Sequence, residues 1–297
     1  MHDGEQAFAI QFWLAAVRSQ FVNAAPELLP LLDTYSAEAL FGRRYIDSDL
    51  DSLQSGARIL EVGAGSLLLS CQLMREGFEV TALEPIGDGF SHFDQMRQIV
   101  MDKARSLGCC PAILDRPAEV LATVNHFDYA FSVNVMEHVD DVARVLENVG
   151  KSLTFGASYR FTCPNYLFPY EPHFNIPTFF SKQLTERLLG RMIFGSRTVP
   201  DPSGTWKSLN WINVIRVGKY VRRFSGLKLT FNRSMLVSTL ERIASDPDFA
   251  GRRSPAMRSF LLMLVRLRIH QLFWLVPAVL QPIMDCRVEK TADPEAC

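Results

Sequence analysis

The sequence predicts an α/β fold, a doubly wound sheet with helices on both sides, and three stretches predict it. Arg58–Ser70 reads RILEVGAGSLLLS. Ile59, Leu60 and Val62 suit a buried strand, Gly63 and Gly65 follow at once, and an apolar run then opens a helix. Phe78–Glu84 (FEVTALE) repeats the strand and closes on a carboxylate. Phe127–Val142 (FDYAFSVNVMEHVDDV) is a third strand leading into a helix. Strand, turn and helix in succession make βα units, and right-handed crossovers join them into a parallel sheet.

Taken in order, residues 1–56 read as a helical segment with Phe8, Phe12, Ala15 and Ala16 on one face, interrupted by Pro26 and Pro30. Residues 57–164 alternate strand and helix, with strands expected at 58–62, 78–84, 109–114, 127–133 and 157–163. Residues 165–297 are richer in aromatics, prolines and arginines. They predict helices plus a final hairpin from Leu227–Phe231 and Ile283–Val288. The last two zones read as one domain, a ligand-binding core and the cap helices and closing strands on its substrate side.

A ligand belongs at the carboxyl end of the first strand, where the two glycines let backbone approach it without a Cβ in the way. A dinucleotide fingerprint needs a third glycine, and that position is Leu68, which disfavours a nicotinamide-dependent oxidoreductase. Glu61 ends the first strand, and Glu84, ending the second, can accept two hydrogen bonds from a ribose diol. With EVGAGS (Glu61–Ser66) as a first motif and LEP (Leu83–Pro85) closing the second strand, the chain resembles the class I S-adenosylmethionine-dependent methyltransferases. Asn134–His138, running into an acidic pair, resembles the fourth motif of the methyltransferase type 11, quinone-biosynthesis-like branch. The resemblance covers roughly Ala57–Pro164.

That resemblance implies a Rossmann-like, seven-stranded, mostly parallel sheet. Its antiparallel last strand inserts between two others, with helices before the core and a helical insertion after it. It implies S-adenosyl-L-methionine as cofactor, held by Glu61, Gly63, Ala64, Gly65, Glu84, Pro85 and Asn134. Pro117 occupies the slot where related enzymes place an acidic residue for the adenine amino group. Asp115 or the Ala118 backbone is the contact expected in its stead.

The sulfonium of this cofactor is already activated, so methyl transfer asks for an aligned nucleophile and, for a hydroxyl, a base. The candidate segment is Cys163–Phe174, stiffened by three prolines. Glu171 or His173 is the expected base, with His138 as rival, and Tyr166, Tyr170 and Phe174 are expected as substrate wall. The histidines show no H-x-x-x-H or His–Cys spacing, so no metal is expected.

Net charge is −1 and the pI near 6.6, so no nucleic-acid partner is expected. Six cysteines form no C-x-x-C pair, as suits free thiols in a reducing compartment. The opening MHDGEQAFAI lacks a basic n-region, which predicts a cytoplasmic protein. Ser259–Met284 is very apolar but interrupted by Arg266, Arg268 and His270. Gln271–Met284 carries Pro277 and falls short of the roughly 20 residues a span needs. It reads as a core or lid helix, or as a helix in peripheral contact with the inner face of a membrane. The expected activity is methylation, at oxygen, of a small or lipid-linked acceptor such as a saccharide or glycolipid. A quinone-type phenol and a non-catalytic, cofactor-binding partner subunit stand as alternatives. The sequence sets no oligomeric state.

Overall fold

A computed structural model of the chain describes residues 2–85, 91–179, 181–245, 250–251 and 254–291. Helices α1 (His2–Ala24), α2 (Leu29–Tyr45) and the single turn α3 (Asp47–Leu50) come first. The alternating part follows as β1 (Arg58–Val62), α4 (Leu68–Arg75), β2 (Glu79–Leu83), α5 (Ser91–Ser106), β3 (Ala112–Leu114), β4 (Phe127–Val133), α6 (Val142–Ser152) and β5 (Leu153–Pro164). Then come the ribbon strands β6 (Tyr170–Glu171) and β7 (Ile176–Pro177), and helices α7 (Lys182–Phe194), α8 (Pro202–Ser208) and α9 (Val214–Val221). The chain closes with β8 (Leu227–Asn232), α10 (Met235–Ser245), α11 (Pro255–Arg266) and β9 (Ile283–Lys290).

Seven strands form one sheet in the order β3-β2-β1-β4-β5-β9-β8. β1 pairs in parallel with β2 and β4, β2 pairs in parallel with β3, and one strand of the seven is antiparallel. β9 sits between β5 and β8, as the resemblance implied. The chain divides into two compact units. The first holds Met1–Val133, Arg144–Arg160 and Glu289–Cys297, and the second Asn134–Ala143 and Phe161–Val288.

In the first unit, Ile59, Leu60 and Val62 of β1 and Tyr129, Ala130 and Phe131 of β4 are all buried. Such continuous apolar runs belong to parallel strands covered on both faces. The buried face of α1 differs from the expected one. Ile10, Trp13, Val17 and Phe21 are fully buried, whereas Phe12 and Ala15 are exposed; the side chain of Phe8 lies outside the described residues. The bulkier stripe is the one packed, and the Trp13 indole N–H donates to the Leu68 carbonyl at 2.9 Å, which sets the rotation of the helix. β3 begins three residues later than expected. Gly108 turns left-handed (φ 67°) after α5, the Cys109 N–H returns to the Ala104 carbonyl, and Pro111 has no N–H to give to the ladder.

The helical N-terminal segment is joined to this sheet through a buried charge. The Arg160 guanidinium donates to Asp49 Oδ2 and to the Tyr45 carbonyl, both at 2.8 Å, and lies 4.1 Å over the Tyr45 ring. The Tyr129 hydroxyl donates to the same Asp49 oxygen at 2.9 Å. A buried ion pair is costly to break from one side, because the charge left behind has no answer.

In the second unit the strands expected at 227–231 and 283–288 form, and they neighbour each other in the sheet. They are not a hairpin. Residues 233–282 between them carry α10, α11 and two 3-10 segments, Ile269–Leu275 and Ala278–Leu280. Nor is the apolar stretch from Ser259 one helix. α11 stops at Arg266, and Arg268 adopts a left-handed φ of 58°. Among the described residues no helix is long and apolar enough to cross a membrane.

Asp49→Ala should cost about 3–5 kcal/mol of stability, the usual result of removing one partner of a buried pair. Urea unfolding measures it, and a loss below about 1 kcal/mol would show that the pair does not hold α3 to the sheet.

Candidate active site

The first unit forms a cradle at the carboxyl edge of the sheet. β1 ends at Val62, and the chain turns through Gly63 (φ 74°) and Gly65 (φ 49°), with Leu67 also left-handed (φ 65°) as it enters α4. The Gly63 N–H donates to the Leu83 carbonyl at 2.8 Å, tying the turn to the end of β2. Glu84 follows β2 and accepts from the Gly65 N–H at 3.0 Å. Among the described residues a Cβ on Gly65 would meet only the Phe93 ring, at 3.8 Å, so the positive φ is what selects glycine there.

Glu61 is buried and accepts a hydrogen bond from the Ser70 hydroxyl. Burial pushes its carboxyl up to about 8, only partly offset by Ser70. Burial also raises Glu84, against the Gly65 N–H and the Arg97 guanidinium. Ala118 is buried at the start of a 3-10 turn whose carbonyls at Ala118 and Glu119 are held by Asn148 Nδ2 (3.4 and 2.7 Å). Asp115 and Pro85 are exposed beside β3 and β2.

Three residues at this cradle escaped the sequence reading. Arg97 of α5 reaches the Gly65 carbonyl at 3.4 Å and lies 4.0 Å from Glu84. Its Nε and Nη1 are buried with no hydrogen-bond partner among the described residues. Phe93 meets Tyr35 of α2 edge-on at 4.8 Å. Burial, then Glu38 and Glu84, raise the Tyr35 phenol, so it stays a neutral donor. A helix face carries such residues with no local motif to mark them.

The second unit holds the expected base candidates and brings them together. Glu171 is fully buried and is held by three donors. These are the Tyr166 hydroxyl at 3.2 Å, the Phe174 N–H at 2.7 Å and His173 Nδ1 at 2.5 Å. The His138 ring lies 5.2 Å from the His173 ring. His138 Nδ1 meets Ser208 Oγ at 2.8 Å, and Ser208 gives its own proton to the Thr205 carbonyl. The hydroxyl therefore accepts from His138, which places the ring proton on Nδ1 and the lone pair on Nε2. Glu171 fixes the same tautomer for His173. Burial first, then His173, lower the His138 pKa to about 4, so that ring is neutral near pH 7.

Glu137, fully buried, was not singled out from sequence. Glu137, His138 and His173 each offer a ligand atom within 4.8 Å of one another, a grouping that sequence spacing did not reveal. Asn210 holds the Met136–Val139 segment, donating through Nδ2 to the Met136 and Val139 carbonyls, both at 2.8 Å. Asn134 (φ 54°) is exposed and donates its N–H to the Thr162 carbonyl. Of the expected wall residues, Tyr166 and Phe174 are buried, stacked on Trp211 at 4.3 Å and edge-on to Trp206 at 5.7 Å. Tyr170 instead is exposed and donates to Asn175.

Residues 39–171 match a family model described as a methyltransferase domain, so the chain carries an S-adenosylmethionine-dependent methyltransferase domain over that span. Two uncharacterized proteins of Mycobacterium tuberculosis, Rv1509 and MT1557, are each 49% identical to it over 278 residues, 94% of this chain and 94% of theirs. Among solved structures it is similar to a putative sarcosine dimethylglycine methyltransferase from Galdieria sulphuraria. That match has 14% identity, 87% of this chain, 88% of that one and a TM-score of 0.49. It is also similar to phosphoethanolamine N-methyltransferase 2 of Haemonchus contortus, with 14% identity, 86% of this chain and a TM-score of 0.47, and spans 53% of that protein.

Glu84→Ala should weaken S-adenosylmethionine binding without unfolding the chain. Unchanged affinity in calorimetry would remove Glu84 from the cofactor site. Glu61 gives a second expectation. The native state binds its proton more tightly than the unfolded chain. That contribution is present at low pH and is lost as pH rises from 4.5 through about 8. Glu61→Gln should flatten this part of the stability profile in urea titrations on either side of the window; an unaltered slope would place the titration elsewhere.

Proposed function

We propose that this methyltransferase passes the methyl group of S-adenosylmethionine to an oxygen of a small or lipid-linked acceptor, a saccharide or glycolipid hydroxyl. One observation carries the reading: His173 presents Nε2 as a lone pair while its Nδ1–H rests on the buried Glu171 carboxylate. A hydroxyl must lose its proton to attack the methyl carbon, and a carboxylate behind the ring stabilises the imidazolium that results. His138, its pKa depressed to about 4, holds a proton poorly; it is suited to accept a hydrogen bond and orient the hydroxyl. Trp211, partly exposed and stacked on Tyr166, offers a flat apolar face of the kind that sugar rings rest on.

His173→Ala should leave cofactor affinity intact and lower single-turnover rates about 10²–10⁴-fold, the usual range for loss of a general base. The acceptor panel comprises saccharides, glycolipids and phenols. Wild-type rates in the variant would demote His173 to a structural role, and turnover of phenols alone would replace the saccharide reading.

One observation favours a second reading of the same residues. Glu137, His138 and His173 each bring a ligand atom to one place, and the Nδ1 atoms of the two histidines are engaged by Ser208 and Glu171, as is usual for histidines that ligate a metal. Two imidazoles and a carboxylate suit a divalent transition-metal ion, which would acidify a bound hydroxyl directly. Dialysis against a chelator separates the two. Activity lost and then restored by zinc or manganese supports the metal, and activity untouched supports the base.

A further inference from the structure

We propose that α11 and the turns after it form a surface of the second unit that docks on an anionic lipid bilayer. α11 carries apolar residues on both its inner and its outer side, beside Arg258 and Arg266. Its inner side meets a cluster of Leu240, Ile243 and Ala250 through Leu261, Leu262 and Val265. Its outer side presents Met257, Phe260, Met263 and Leu267, spaced three to four residues apart and all exposed. The apolar run continues past the helix, with Leu272 62%, Trp274 57% and Leu275 64% exposed. Exposed apolar residues scattered singly need no explanation, but a run of this length does. An outer apolar stripe of this kind is ordinarily covered, by protein or by lipid.

Charge decides between those two. From Ala250 to Met284 the sequence has no Asp or Glu, while it has Arg252, Arg253, Arg258, Arg266 and Arg268. This basic segment sits in a chain whose net charge is only −1. Arg258, Arg266 and Arg268 are exposed. The neighbouring carboxylate on α10, Glu241, is engaged by His270 Nε2 at 3.2 Å. A second copy seated symmetrically on this face would set the arginines of 250–284 against one another, and that segment has no Asp or Glu of its own to answer them. Lipid phosphates answer them directly. Arginine stems can lie along apolar surface with the guanidinium among headgroups, and an exposed tryptophan favours the same depth. With no helix long enough to span, the geometry is that of an interfacial helix. The inference does not depend on which acceptor is methylated.

The test is flotation of the full chain with phosphatidylcholine vesicles prepared with and without phosphatidylglycerol. Binding to the anionic vesicles should exceed binding to the neutral ones about tenfold and weaken with salt. It should blue-shift tryptophan emission, and that shift should vanish in Trp274→Ser. The variant Phe260→Ser/Leu272→Ser/Trp274→Ser should lose vesicle binding while keeping its affinity for S-adenosylmethionine, which reports an intact fold. Arg258→Ser/Arg266→Ser should lose the preference for anionic lipid. No flotation with either vesicle, or flotation that both variants retain, overturns the proposal. A wild-type dimer that the triple variant turns into a monomer also overturns it, and assigns the face to a second copy.

Discussion

The carboxyl edge of the first unit depends on one constraint, a chain turn that only glycine enters without strain. Gly63 and Gly65 both have positive φ, and the turn they make is locked by the Leu83 carbonyl and the Glu84 carboxylate. A Cβ in the left-handed region costs roughly 1–2 kcal/mol per residue, so side chains at both positions would push the backbone away from β2. Because the turn is pinned to β2, the ends of β1 and β2 are held in register, and the acidic side chains that close them, Glu61 and Glu84, come to one edge. α5 then leans on the same loop through Arg97, and α2 meets α5 at the Tyr35–Phe93 contact. Local backbone chemistry thus decides where a carboxylate and a guanidinium come together at the strand ends.

The second unit solves a different problem, how to order an irregular, proline-rich chain. It does so with buried polar side chains that answer backbone groups. Asn165, fully buried, gives its amide to the carbonyls of Ala278, Val279 and Gln281, while its own N–H reaches the Pro282 carbonyl. Asn210 does the same for Met136 and Val139. Glu171 accepts three hydrogen bonds within its own loop. Irregular backbone cannot satisfy itself as helices and strands do, so each such side chain replaces part of a missing ladder. The loop that carries His173 is therefore fixed rather than floppy, which a positioned base or ligand requires.

The core was legible in the sequence because its signals are local. β1, β2 and β4 are short apolar runs closed by turn residues, and the glycines after β1 have a conformational reason visible in one dimension. What was missed rests on distance. Asn210 and Met136 are far apart in the chain, and neither sits in a pattern. Glu137 lies next to His138, but its burial follows from packing that periodicity does not encode. On α1 two stripes competed, and the one with Trp13 won because its indole N–H found the Leu68 carbonyl. β8 and β9 were visible as strands, whereas the helices between them replaced the expected hairpin. Connection length is set by what must be covered, not by the strands.

Three buried carboxylates show how environment sorts one functional group into different roles. Asp49 has a guanidinium and a phenol against it, so its charge is used to hold structure. Glu61 has one hydroxyl, and burial drives it toward the protonated form, in which it becomes a hydrogen-bond donor. Glu171 has a phenol, a backbone amide and an imidazole, three donors that engage both of its oxygens. Of the three, only the last sets a carboxyl oxygen against an imidazole ring, which can take up a proton or ligate a cation. The first would have its charge consumed by arginine and the second would surrender it. That difference, more than proximity alone, sets the Glu171–His173 pair apart from the other two carboxylates.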